Sequence, residues 1–105
     1  MNDAKDNRAD MLRHFPSLLS RWVGASAKMK ELTVGHRTLT IELRQEGMPG
    51  RLIVACVDPE FIHGPTDWRE ASLVVEVAQG DGFVLRDDKA DLFIRARKIE
   101  VKEHV

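Results

Sequence analysis

The side chains that could do chemistry in this 105-residue chain are few, and most stand apart from one another. The four histidines, His14, His36, His63 and His104, are spread over the whole length. A zinc site needs ligands at short, patterned spacing, so these four do not spell one, and no metal or other cofactor is expected. The single cysteine, Cys56, lies inside the apolar run Leu52-Ile53-Val54-Ala55-Cys56-Val57 and shares parity with Leu52 and Val54. A thiol in that setting behaves as a small hydrophobe, because nucleophilic cysteines need exposure and a lowered pKa.

His63 has richer company. The stretch 58–69 reads as a long loop, with Pro59, Gly64 and Pro65 fixing its turns and Phe61, His63, Thr66, Asp67 and Trp68 offering contacts. Ordered loops carried on a rigid sheet often hold binding residues. These five are therefore the candidate ligand- or partner-binding set. The competing expectation is that Phe61, Ile62 and Trp68 plug one end of a barrel while Asp67 caps a turn within Asp67-Trp68-Arg69-Glu70. Asp87, Asp88 and Asp91 lack the frame of a calcium loop and read as a solvated turn. Arg86, Arg95, Arg97 and Lys98 define a candidate basic face near the last strand. Glu76, Glu100 and Glu103 interleave with it, and the chain's net charge is −1, so nucleic acid is disfavoured as a partner. Phosphate loops, nucleophile elbows, metalloprotease helices and dinucleotide fingerprints are missing from the sequence, which disfavours an enzyme.

The elements that must position these residues follow from periodicity. Residues 1–8 are polar and read as a disordered tail, with one domain over 9–105. Met11, Leu12, Phe15, Leu18, Leu19, Trp22 and Val23 recur at steps of three and four, which predicts an amphipathic helix ending at Gly24. Pro16 either kinks that helix or occupies its first turn. From Lys28 the period falls to two. Leu39, Ile41 and Leu43 alternate with Thr38, Thr40, Glu42 and Arg44, and the run 52–57 is apolar on both faces. Further strands are expected over 71–77, 83–85 and 92–101. In the last of these, Leu92, Ile94 and Ala96 have one parity and Ile99 and Val101 the other. A β-bulge near Arg97–Lys98 would reconcile them, as would a strand passing from one packing environment to another.

The expected fold is thus α+β and mainly β. An N-terminal amphipathic helix packs on a six-stranded antiparallel meander, curved strongly or partly closed as a small barrel. The polar N-terminus has no signal-peptide core, and no apolar run approaches the ~20 residues of a bilayer span. These features point to a cytoplasmic protein without a membrane partner. The expected role is a non-enzymatic binding module that meets another protein, or a second copy of itself, through the 58–69 loop and a sheet edge. The alternative is a small-ligand-binding barrel, or a weak enzyme, with its site beside His63.

Overall fold

In the computed structural model, residues 15–33, 37–80 and 82–104 are described, with 31–33 followed through the backbone alone. The expected tail, the residues before Phe15 in the helix, His14 and His36 lie outside them. Helix α1 covers residues 15–20, and the chain then turns through 21–24. Trp22 and Ala25 N–H donate to the Leu19 and Trp22 carbonyls at 3.1 Å, and Gly24 takes φ 93°, a region open to glycine at little cost. The helix therefore stops earlier than the expected Val23, which is 51% exposed.

Seven antiparallel strands follow, rather than the six expected: β1 Ser26–Thr33, β2 Thr38–Arg44, β3 Arg51–His63, β4 Asp67–Trp68, β5 Val74–Val77, β6 Phe83–Asp87 and β7 Leu92–His104. Their order across the sheet is β4-β1-β2-β3-β7-β6-β5. Two meanders, β1-β2-β3 and β5-β6-β7, thus share the long β3–β7 pair as their seam. The extra strand comes from the 58–69 segment. It is not a single loop: β3 runs on through it to His63, and β4 pairs with β1 after a short turn.

The inner face is built from cross-strand rows. Ala27 stands opposite Leu43, which stands opposite Leu52; Met29, Ile41 and Val54 form the next row, and Leu39, Cys56 and Ile99 the next. Leu85 and Ile94 continue the core in the second meander. Phe15 and Leu19 from α1 and Trp22 from the turn after it join this cluster. The Trp22 indole N–H donates to Glu103 Oε1 at 2.8 Å, and Arg21 meets the same oxygen at 2.8 Å, which fastens the helix segment to the end of β7.

The parity change in β7 is resolved by the seam. Val57 faces Lys98 and Pro59 faces Ala96, so the register is kept there, while Asp58 adopts φ 51°. Both strands change face together. Residues 98–104 of β7 back the first meander, and 92–96 lie between β3 and β6. The register does break, but between Pro59 and Phe61 of β3 rather than at Arg97–Lys98. The environment-crossing alternative is therefore the one that β7 follows.

The result is a curled half-barrel with its two ends brought toward each other. β4 and β5 sit at opposite ends of the strand order, yet only residues 69–73 connect them. Asp87, on the inner face of β6 and fully buried, ties the ends together: its Oδ2 accepts from Trp68 Nε1 at 3.0 Å and from Ser72 N–H at 2.8 Å. Ala71 extends the closure by exchanging backbone bonds of 2.9 Å with Gly24 and Ala25. No helix among the described residues is long and apolar enough to cross a membrane.

Candidate functional site

The five loop residues expected to act together are dispersed. Phe61 and His63 lie on the outer face of β3, where Phe61 meets Phe93 edge-on at 5.9 Å between ring centroids. His63 Nε2 is 3.1 Å from Asp91 Oδ2 in an exposed pair. Thr66 contributes its carbonyl, which accepts from Met29 N–H at 2.7 Å, in effect extending the β4–β1 ladder. Asp67 projects from β4 beside Lys28, and the Trp68 indole turns inward to Asp87. Asp67 and Trp68 line a groove that does not include Phe61 or His63.

The basic candidates are each neutralised locally. Arg86 bridges Glu76 and Asp88; Arg95 lies 3.3 Å from Glu60 and donates to the Gln79 carbonyl at 3.1 Å. Arg97 is 3.4 Å from Asp58, and Lys98 is 3.1 Å from Glu100. The carboxylates around Arg86 favour its charged form and raise its pKa. Cys56 is fully buried, and loss of solvent around the thiol pushes its pKa up to about 12. A thiol so placed is a core side chain and not a nucleophile. The described residues include no group of three or more His, Cys, Asp or Glu arranged to hold a metal ion.

Two features that sequence reasoning missed remain. One is the open edge of β5. Its register with β6 pairs Val74 with Arg86, Val75 with Leu85, Glu76 with Val84 and Val77 with Phe83. Ala78 N–H donates to the Gly82 carbonyl at 3.0 Å, marking that position as a bonded pair. Bonded and non-bonded pairs alternate along an antiparallel ladder. Glu76 and Val74 therefore bond toward β6, and the N–H and C=O groups of Val75 and Val77 point to the open side. Neither has a backbone partner there among the described residues.

A groove of about 220 Å³ borders this edge, walled by Pro16, Leu19, Ser20 and Val23 on the helix side and by Leu73, Val74 and Val75 on the strand side. The other free edges among the described residues are guarded, that of β1 beyond β4 by the charged Lys30 and Glu31. β4 is two residues long; the free stretch of β3 contains Pro59; that of β7 carries Lys98, Glu100 and Lys102. Short length, proline and charge are the usual means of keeping an edge from pairing. The four residues Val-Val-Glu-Val of β5 have one charge and no proline. The only signal in the sequence was that apolar run, which alternation alone assigned to the core.

The other feature is a groove on the outer face of β1, β2 and β4, described below. Comparison with protein-family models, with curated proteins and with solved structures finds no match to this chain.

Proposed function

We propose that the protein is a binding module that takes up an extended segment of another protein as an additional strand on β5. The observation that carries this reading is the pair of unbonded backbone positions, Val75 and Val77, on an unguarded edge beside an apolar groove. Strand addition uses such an edge for main-chain hydrogen bonds and uses the neighbouring pocket to select alternate side chains. Here α1 and β5 form the two walls. The four-residue edge spans about 13 Å, enough for a partner segment of about four to six residues. The apolar lining by Leu19, Val23, Leu73 and Val74 selects for aliphatic side chains at every second position of that segment.

A peptide-display library screened against the purified protein tests this. Expected are enriched segments with alternating aliphatic residues, whose binding is abolished by Val77→Pro. That substitution removes an outward N–H at an exposed edge position while leaving the bonds to β6 in place. A library that yields no enriched segment, or segments that bind Val77→Pro equally well, overturns the reading.

A further inference from the structure

The outer face of the first meander carries a second groove, of about 330 Å³, lined by Ser26, Lys28, Glu42, Arg44, Asp67 and Arg69 together with the edges of Ala27 and Trp68. Register explains why these residues meet. Glu42, Lys28 and Asp67 form one cross-strand row, with Lys28 in the middle. Arg44 stands opposite Ser26 in the next row, and Arg69 follows directly after Trp68, the partner of Ala27. Ser26 is the smallest side chain on this face, so a gap opens over it, flanked by two arginines about two strand spacings, or about 10 Å, apart.

The charges around the gap do not balance. Glu42 is buried beneath three cations: Arg44 Nε at 2.8 Å, Arg51 Nη1 at 2.9 Å and Lys30 Nζ at 4.0 Å. Its hydrogen bond from Arg44 lowers its pKa most, against the opposing effect of burial, so it stays ionised and holds Arg44 and Arg51 in place. Asp67 is the only other carboxylate lining the groove. Lys28 and Arg69 have no ion-pair or hydrogen-bonding side-chain partner among the described residues. Among the described residues, three cations of the lining, Lys28, Arg44 and Arg69, thus face its two carboxylates, and Lys30 and Arg51 add positive charge on Glu42 from beside the groove. The excess is concentrated at the gap, and part of it is preorganised.

We propose that this groove is a binding site for a phosphate monoester, with the phosphate over Ser26 between Lys28, Arg44 and Arg69 and the organic body along the rest of the groove. Lys28, Arg44 and Arg69 come from three directions, and the three terminal oxygens of a phosphate monoester can meet all three side chains, whereas a simple carboxylate has only two oxygens. A guanidinium presents paired N–H donors matched to phosphate oxygens, and Lys28 adds a point charge. The groove is much larger than a phosphate group, leaving space for a sugar-sized body. The site is separate from the β5 edge and does not depend on it.

Ribose 5-phosphate is the soluble probe, followed by amide chemical shifts in NMR and by titration calorimetry. Saturable binding is expected, with shifts centred on Ser26, Lys28 and Arg69. Lys28→Gln and Arg69→Gln should each weaken it about tenfold, the worth of one charge-assisted contact. Both variants should keep the wild-type melting temperature, because neither side chain bonds to another side chain among the described residues. Arg97→Gln should leave binding unchanged. Vesicles of phosphatidylcholine with and without phosphatidic acid form a second arm, since a lipid headgroup offers the same chemistry. Binding in either arm that depends on Lys28 and Arg69 supports the site, and the tighter arm identifies the source. The proposal is overturned by lack of saturation in both arms up to about 10 mM phosphate ester, or by binding that Lys28→Gln and Arg69→Gln leave intact.

Discussion

Replacing Asp87 by alanine should be among the most damaging single changes available to this fold. Asp87 is fully buried, and its Oδ2 accepts hydrogen bonds from Trp68 Nε1 and Ser72 N–H, while Oδ1 lies 3.4 Å from Ala90 N. Alanine leaves at least two part-buried donors without an acceptor. Each such donor costs about 1–3 kcal/mol, so a loss of about 3–5 kcal/mol is expected. That is a large share of the ~5–15 kcal/mol by which a domain of this kind is stable. It corresponds to a fall in Tm of more than about 10 °C.

Asp87→Asn separates the geometry from the charge. An asparagine oxygen can occupy the Oδ2 position and keep both bonds, but its amide then confronts Ala90 N–H, so about 1–2 kcal/mol should be lost. Urea unfolding followed by circular dichroism gives both values. Hydrogen exchange at the Trp68 indole and the Ser72 amide shows whether the closure opens before the rest of the sheet. A double-mutant cycle of Asp87→Ala with Trp68→Phe should show coupling, since each change removes the bond the two share. Loss of less than about 1 kcal/mol in Asp87→Ala, or strict additivity in the cycle, would refute the view that this carboxylate holds the two ends of the sheet together.

Trp22→Ala should cost about 3–5 kcal/mol in the same urea assay, because the ring is 2% exposed in the core and its N–H bonds to Glu103; a cost below about 0.5 kcal/mol would mean that the turn after α1 does not seal the core. Glu42→Gln should lower stability by about 1 kcal/mol at neutral pH, the scale of an ion-pair cluster covered by its own exposed cations. The pKa of Glu42 is depressed in the folded state, so its contribution is complete above the ordinary value of 4.5 and fades as pH falls below it. The stability curves of wild type and variant should therefore run parallel above about pH 5 and converge in acid, and a gap that widens on acidification would contradict the assigned cause.

Strand identity was legible in the chain because alternation is a local property. Leu39, Ile41 and Leu43 point inward as their spacing requires, and β2 has the expected bounds Thr38–Arg44. Leu52, Val54 and Cys56 are fully buried, and Gly47, Gly80 and Gly82 take positive φ where glycine marked a turn. The 58–69 segment misled because Pro59 and Gly64 punctuate it like a loop. Pro59 nonetheless stands in β3 beyond Val57, the last residue paired with β2, and its carbonyl accepts from Arg37 Nη2 on that side, so the missing N–H costs no bond to β7. Ala71 and Leu73 are buried as expected of a strand, yet β5 starts only at Val74, after the chain has crossed between the two ends of the sheet.

Asp87 marks the boundary most sharply. Beside Asp88 and Asp91 it read as one member of a solvated turn, but it is fully buried at the end of β6 while Asp88 and Asp91 are exposed. The sequence by itself determined which residues form strands and which of their faces is apolar, since both follow from the steric alternation of neighbouring side chains. Only the tertiary structure decided which carboxylate is buried, which edge stays open, and which cations gather over Ser26. Those depend on pairings between residues far apart in the chain, such as Trp68 with Ala27 and Arg44 with Ser26, and no local rhythm encodes them.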